Sequence, residues 1–229
     1  GHVHRENVAV NLPGLDSLKR PLHAFELEID GQSLHNRWDW VGASRRPGRK
    51  PNTEESVVEL RHQVRPVTLK VVTRVDGSPI LARYLEITNT GKAPAALASV
   101  SPWSGVLWNI QTEPRNHYKN MNPAFDERGG SKYSLGHLAS EEWGEEGDFA
   151  WRPLPMENFR IERKAIGRPH GSPYFVVRSE VTGEMFFIGL AWSAGFMAEF
   201  AYRHDSLLSF RVGPLGPAPL RVIAAGETV

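Results

Sequence analysis

The fold of this chain is decided by the stretch Val67-Thr68-Leu69-Lys70-Val71-Val72-Thr73-Arg74-Val75. Successive side chains of a strand point to opposite faces, so this stretch predicts a strand with two distinct faces. One face holds Val67, Leu69, Val71 and Val75, and the other holds Thr68, Lys70 and Arg74. The turn residues Asp76-Gly77-Ser78-Pro79 follow, and Ile80 to Thr88 then predicts a returning strand. Together these segments predict a β-hairpin.

Short strands of the same kind are predicted elsewhere in the chain. They are Phe25 to Ile29, Tyr174 to Ser179, Met185 to Trp192, Phe196 to Tyr202, a strand with Leu208, Phe210 and Val212 inward, and Leu220 to Ala224. Met185 to Trp192 is apolar on both faces, which is typical of a central strand and predicts that Trp192 packs in the core. Glycine and proline interrupt the chain too often for long helices. The pattern predicts an all-β fold, a large antiparallel sandwich with little helix.

Residues 104–168 differ from the rest of the sequence because glycine, proline, asparagine and charged residues dominate them. Long irregular segments in compact domains are uncommon and are often functional. We expect short irregular strands here, packed on one edge of the sandwich.

Composition excludes several classes of function. The 27 basic and 26 acidic side chains nearly cancel, which predicts no nucleic-acid partner and no anionic membrane surface. No apolar run approaches the roughly 18 residues of a membrane span. The absence of cysteine excludes disulfides and thiolate metal sites, and it leaves the compartment open between the cytoplasm and bacterial secretion.

The sequence offers no convincing catalytic centre. The carboxylates of Asp126-Glu127 and of Glu141 to Asp148 lie in polar loops, and no nucleophile-elbow, dinucleotide or P-loop motif occurs. His2, His4, His62 and His204 lack metal-ligand spacing. The basic segment Arg45 to Lys50 is interpreted as a solvated loop. We therefore predict no catalytic residue, no metal site and no cofactor within this chain.

Tryptophan is the unusual residue, with seven copies. Packing is the simpler interpretation for Trp103 and Trp108, whereas Trp38-Asp39-Trp40 stands beside polar and basic residues. Indole rings stack on the apolar faces of sugars, and a nearby carboxylate accepts hydroxyl hydrogen bonds. The predicted carbohydrate-binding or interdomain residues are Trp38, Asp39, Trp40 and Trp143, with Trp151 a weaker candidate.

Several motifs resemble one known family in the same order along the chain. They are Tyr84-Leu85-Glu86-Ile87-Thr88-Asn89-Thr90-Gly91, then Trp143, Pro153-Leu154 and Ile161-Glu162-Arg163, then Gly189-Leu190-Ala191-Trp192-Ser193-Ala194-Gly195-Phe196, and finally Leu220 to Glu227. The chain resembles the N-terminal β-sandwich domain of family 36 glycoside hydrolases, which are α-galactosidase-like enzymes.

The resemblance implies a galactose mutarotase-like supersandwich and a single domain over residues 1–229. In that family both catalytic carboxylates belong to a barrel that follows this domain, so the resemblance implies a non-catalytic N-terminal accessory domain. The chain ends at Val229, where the barrel is expected to begin. The expected partners are a catalytic barrel of the same polypeptide and a carbohydrate such as a galactoside, and a homo-oligomer is left open.

Two alternatives remain at this point. A free-standing carbohydrate-binding module would use Trp38, Trp40 or Trp143 as stacking platforms. A sugar mutarotase would need a convergent histidine and glutamate, for which His62 and Glu86 on predicted strands are the candidates.

Overall fold

The computed structural model describes residues 23–48, 50–109, 131–138, 148–163, 172–202 and 207–229. Strands are the only regular elements in these ranges, and they form four antiparallel sheets of four strands each. In chain order they are β1 Glu26–Ile29, β2 Gln32–Ser33, β3 Trp38–Pro47, β4 Glu54–His62, β5 Val67–Val75, β6 Ala82–Asn89, β7 Ala95–Ser101, β8 Trp103–Asn109, β9 Tyr133–Leu138, β10 Phe149–Pro153, β11 Asn158–Arg163, β12 Tyr174–Ser179, β13 Met185–Gly189, β14 Phe196–Tyr202, β15 Leu207–Pro214 and β16 Arg221–Ile223. The all-β prediction is confirmed.

The chain divides into two compact units. The first comprises the described residues of Gly1–Ser104 and Pro217–Val229, and the second those of Gly105–Gly216. The first unit contains the sheets β3-β4-β5-β6 and β16-β7-β1-β2, and the second contains β10-β9-β12-β13 and β11-β14-β15-β8. The single domain expected over residues 1–229 stays a prediction.

The first unit is a sandwich whose sheets share one apolar core. The alternation in β5 places Leu69 on the inner face, opposite Ile87 of β6, and neither meets solvent to any extent. Leu27 of β1 and Leu97 of β7 belong to the same buried cluster, which joins the two sheets. The predicted hairpin is confirmed as β5 and β6, although β6 begins at Ala82, after the exposed residues Ile80 and Leu81.

A tight turn fixes the start of this unit. Asp30 and Gly31 have φ values of 51° and 71°, and Ile29 of β1 pairs with Gln32 of β2 across them. Two central residues with positive φ are the signature of a two-residue hairpin whose twist matches that of its strands. The strand predicted to end at Ile29 is therefore confirmed, with its turn at Asp30-Gly31.

The second unit packs its two sheets through aromatic side chains. The Tyr133 ring of β9 meets Tyr202 of β14 edge-on at 4.8 Å between centroids, and the Phe175 ring of β12 meets Phe200 of β14 at 5.7 Å. Edge-to-face contacts of this kind are a favourable geometry for buried rings. The predicted inward alternation of Phe196, Ala198, Phe200 and Tyr202 is confirmed, as is that of Leu208, Phe210 and Val212.

Two expectations about strand position are wrong. The segment Met185 to Trp192 provides the edge strand β13 rather than a central strand, and Trp192 lies beyond its end with 45% of its surface exposed. Within residues 104–168, β9 is an internal strand whose Tyr133 and Leu135 are fully buried, so this segment does not merely line an edge. Residues 203–206, which include the turn predicted at His204, lie outside the described residues.

Replacing Trp38 with alanine should destabilise the first unit strongly. The indole is 4% exposed within the core, and such a truncation costs about 3–5 kcal/mol because it leaves a cavity. Trp40→Ala is the matched control, since this indole is 49% exposed and its loss should change stability by only about 0.5 kcal/mol. Urea unfolding followed by circular dichroism measures both, and equal losses would contradict the placement of the two rings.

Stability should fall as the pH drops from 7.5 to 5.5. Burial lowers the pKa of His62 below its ordinary value of 6.5, and the nearby Arg37 and Arg65 lower it further. The unfolded chain therefore binds a proton that the folded chain does not, so this contribution is complete above about pH 6.5 and is lost below it. The His62 Nδ1 accepts the backbone N–H of Arg65 at 2.8 Å, a bond that an asparagine oxygen can imitate.

The thermal midpoint of a His62→Asn variant should therefore depend less on pH than that of the original chain. Gln63→Asn, which changes a neighbouring side chain that does not titrate, is the control. Parallel pH profiles for the original chain and His62→Asn would refute this account of His62.

Candidate functional site

Trp38 is not available to a sugar or to another domain. Its Nε1 donates to the Leu34 carbonyl oxygen at 2.9 Å, and its ring meets Phe25 and His62 edge-on at 5.6 and 5.0 Å. The expectation of surface contact is corrected for this residue because its own unit encloses the indole. The motif alone does not show that the start of β3 packs against the core and thereby buries its first tryptophan.

The next three residues form an exposed group, named here the β3 surface patch: Asp39, Trp40 and Val41. The register of β3 against β4 shifts between Trp40 and Gly42, so Val41 is the extra residue of a β-bulge. Bulges redirect side chains at sheet edges, and here Trp40 and Val41 are both about half exposed. Asp39 Oδ1 accepts a hydrogen bond from Gln63 Nε2 at 2.7 Å, which fixes the carboxylate at the end of the strand pair β3-β4.

Other predicted positions lie outside the described residues. They are Trp143, Asp126, Glu127, His2, His4, His204 and the acidic residues from Glu141 to Glu146.

His62 and Glu86 lie on opposite faces of one sheet. His62 shares the core face with Trp38, its partner across the strands. Glu86 pairs with Lys70, one residue out of phase with the buried pair Leu69 and Ile87, and therefore points the other way. The convergent pair that a mutarotase would need is therefore not formed by these two residues.

A polar network occupies the outer face of the sheet β3-β4-β5-β6. Arg46 Nε donates to Glu55 Oε2 at 2.8 Å, and its Nη2 donates to Glu86 Oε1 at 3.1 Å and to the Tyr84 hydroxyl at 3.4 Å. The Tyr84 hydroxyl in turn donates to Glu55 Oε1 at 3.2 Å. The bond from Arg46 holds the pKa of Glu55 below its ordinary value, and the bond to Glu55 is the main cause that raises the pKa of Arg46.

This network corrects the interpretation of the basic segment as a solvated loop. Arg45, Arg46 and Pro47 are the last residues of β3, and the register sets Arg46 directly opposite Glu55. The sequence alone did not reveal this contact, because Arg46 and Glu55 are nine positions apart and meet only when β3 pairs with β4.

The second unit presents a group of four exposed rings on one sheet, named here the outer aromatic face: Phe149, Trp151, Tyr174 and Phe187. Their registers place all four on the same side of the sheet β10-β9-β12-β13, away from the buried Leu135, Phe175 and Val177. Phe149 contacts Trp151 at 5.7 Å between centroids, and Tyr174 contacts Phe187 at 6.2 Å. Of these rings, the sequence singled out only Trp151.

Gly136 makes room for the rings at the centre of this face. A Cβ atom there would lie 2.4 Å from Phe149 Cζ and 3.2 Å from Trp151 Cδ2, so both rings lean over the backbone of β9. The Arg178 guanidinium lies 4.6 Å from the Trp151 ring centroid, and its Nε donates to Glu180 Oε1 at 2.8 Å. The indole is therefore held in place by a cation–π contact and bordered by charged groups.

The described ranges contain no group of three or more histidine, aspartate or glutamate side chains suited to a metal ion. Among the same residues, no helix has the length and apolar character of a membrane span.

No protein-family model matches the sequence, and no curated protein matches it. Solved structures do resemble it in fold. The GH36 α-galactosidase AgaB from Geobacillus stearothermophilus aligns with a TM-score of 0.65 and 13% identity over 95% of this chain. The α-galactosidase from Lactobacillus brevis aligns with a TM-score of 0.64 and 14% identity over 93% of this chain. A variant of AgaA from Geobacillus stearothermophilus, in complex with stachyose, aligns with a TM-score of 0.66 and 13% identity over 98%.

The chain spans about 30% of the length of these proteins, with 30% of AgaB, 28% of the Lactobacillus brevis enzyme and 33% of the AgaA variant covered. Almost the whole of this chain therefore corresponds to a minor part of each longer protein. The predicted resemblance to family 36 glycoside hydrolases is confirmed for the fold.

Proposed function

We propose that this chain is a non-catalytic β-sandwich module of an α-galactosidase-like glycoside hydrolase, in which it supports the catalytic barrel. The observation that carries the proposal is the unequal coverage: 95% of this chain aligns with 30% of AgaB. Most of AgaB therefore lies outside the aligned region. That remainder has room for a barrel of about 250 residues.

The chemistry of the polar network supports a non-catalytic role. Glycoside hydrolysis needs one carboxyl group that gives up a proton and a second that attacks or activates water across the substrate. Glu55 and Glu86 are the carboxylates that Arg46 brings together, and both accept hydrogen bonds from the same guanidinium. A carboxylate whose pKa is lowered in this way is a poor general acid, so the network serves to brace the sheet.

The β3 surface patch is the proposed contact with the catalytic part. Trp40 and Val41 expose apolar surface at a bulged sheet edge, and Asp39 precedes them in β3 as an exposed hydrogen-bond acceptor. Exposed apolar groups rimmed by polar residues are characteristic of interaction sites. The partner in this proposal is a barrel domain of the same polypeptide.

The chain by itself should not hydrolyse galactosides. Purified protein incubated with nitrophenyl α-galactoside should release no nitrophenol above the buffer rate. Glu55→Gln and Glu86→Gln variants provide the control for trace contaminants. Turnover that survives repurification and disappears in either variant would contradict the proposal.

Carbohydrate binding is a second candidate function, and the outer aromatic face favours it. Its four rings extend across the sheet from β10 to β13, and neighbouring strands are about 4.8 Å apart, so the platform spans about 14 Å. Indole and phenol rings stack on the apolar faces of sugars, while Arg178 and Glu180 stand beside Trp151 as hydrogen-bonding groups. This geometry suits a short galacto-oligosaccharide laid across the strands.

Stachyose titrated into the chain should bind weakly, and Trp151→Ala should weaken that binding about tenfold, the equivalent of one lost stacking contact near 1.4 kcal/mol. Isothermal titration calorimetry measures the affinity. Trp40→Ala is the matched control because it removes a similarly exposed indole, 49% against 40%, from the first unit. Loss of binding in Trp40→Ala with full binding in Trp151→Ala would assign the sugar to the β3 surface patch instead.

A further inference from the structure

Among the residues that the structure describes, the strand β13 ends its sheet with an unprotected edge. Its sequence, Met185-Phe186-Phe187-Ile188-Gly189, contains no charge, no proline and no bulge, and its register against β12 is unbroken. Natural proteins block edge strands with such features because unpaired N–H and C=O groups invite another strand. Within the described part of the chain, β12 is the strand to which β13 is hydrogen bonded.

Other sheet edges carry the protection that β13 lacks. Three of them hold charged or interrupting residues: β3 with Arg45, Arg46, Pro47 and a bulge, β10 with Arg152 and Pro153, and β11 with Arg160, Glu162 and Arg163. The edges β2 and β16 are only two and three residues long.

The two remaining edges are interrupted or covered. The free edge of β6 is occupied near its end, where Ile87 exchanges backbone hydrogen bonds with Val229. The strand β8 is bent at Gly105, which has a φ of 138°, and the preceding Ser104 donates its backbone N–H to Ala24. An open and uncharged edge is therefore specific to β13 among the described sheets.

The backbone of β13 shows which groups face outward. The Glu184 carbonyl oxygen accepts a hydrogen bond from the Ser179 N–H, and the Leu190 N–H donates to the Pro173 carbonyl oxygen. Every second residue from 184 to 190 therefore directs its backbone N–H and C=O groups toward β12. Because the direction alternates along a strand, the N–H and C=O groups of Met185, Phe187 and Gly189 point away from the sheet.

We propose that β13 pairs antiparallel with β13 of a second copy, about a two-fold axis at Phe187. This register offers about six inter-strand hydrogen bonds, because the outward groups of Met185, Phe187 and Gly189 meet those of Gly189, Phe187 and Met185 of the second copy. The pairing joins two four-stranded sheets into one of eight strands, and the two-fold axis closes the assembly at a dimer.

The side chains fit this register. On the outer face Phe187 lies opposite its own copy, and Met185 lies opposite Gly189, which has no side chain to obstruct it. A Cβ atom at Gly189 would contact only Tyr174 Cδ2, at 3.9 Å, so space remains above it. At the ends of the pairing, Glu184 meets Leu190 of the second copy, so no like charges oppose one another.

The exposed area predicts a reversible dimer rather than a permanent one. Met185, Phe186 and Phe187 are 47%, 44% and 65% exposed. Given the 150–250 Å² of a whole aromatic side chain, they offer on the order of 300 Å² per copy. Stable interfaces bury about 800 Å² per partner, so this dimer should dissociate when the protein is diluted.

Cysteine cross-linking tests the register directly because the chain contains no cysteine. Hydrogen-bonded antiparallel pairs have Cα atoms about 5.5 Å apart, within the range that a disulfide spans. Under mild oxidation the Phe187→Cys variant should form a disulfide-linked dimer much faster than Met185→Cys, which faces glycine, or Phe149→Cys, which lies on the opposite edge strand. Equal rates for all three variants would overturn the proposal.

Sedimentation velocity over a range of concentrations tests the association itself. The original chain should shift reversibly from monomer to dimer, and Phe187→Lys should remain a monomer because it sets two ammonium groups against each other. Phe149→Lys should dimerise like the original chain, since it changes the outer aromatic face without touching β13. A chain that stays monomeric at high concentration, or a dimer lost in Phe149→Lys but kept in Phe187→Lys, would overturn strand pairing.

Discussion

Antiparallel pairing of β5 with β4 on one side and β6 on the other determines where every side chain of that sheet points. Leu69 and Val72 are both fully buried although they lie on opposite faces, so the strand has little freedom to slip. A shift of one residue would move Leu69 out of the core and Lys70 into it. The same register separates His62 from Glu86 and brings Arg46, Glu55 and Glu86 together.

In the second unit, the strand β9 likewise determines which side chains enter the core. Its outer face differs from that of β5 because it contains a glycine. Its inner face places Tyr133 and Leu135 in the core, and its outer face offers only Ser134, Gly136 and Leu138 to the neighbouring strands. Because Gly136 has no side chain, Phe149 and Trp151 lean over the middle of the sheet. The exposed rings therefore lie close together over the sheet, with Phe149 edge-on to Trp151 and Tyr174 tilted against Phe187.

Local pattern in the sequence was sufficient for β5 and β14, where alternation is clear, for the short strand β12 and for the turn at Asp30-Gly31. It was insufficient wherever the answer depended on a partner strand. The apolar run at Met185 was interpreted as central, since apolarity on both faces is common to buried strands and to unprotected edges. Trp38 and Trp40 share a motif and the same phase of β3, opposite His62 and Leu60, yet Trp38 is buried and Trp40 is 49% exposed, a difference that no residue type announces.

Strand pairing at β13 and sugar binding on the outer aromatic face are compatible because they use different groups. Pairing engages the main-chain edge and the flank of Phe187, whereas sugar binding uses the exposed surface of the rings on one side of the sheet. Eight strands at about 4.8 Å spacing extend over about 34 Å, so two platforms of a dimer would lie on one continuous surface. A ligand long enough to reach both would bind the dimer more tightly than the monomer, since its second contact is intramolecular. Such a ligand would therefore also favour association of the two copies, because binding and dimerisation are thermodynamically linked.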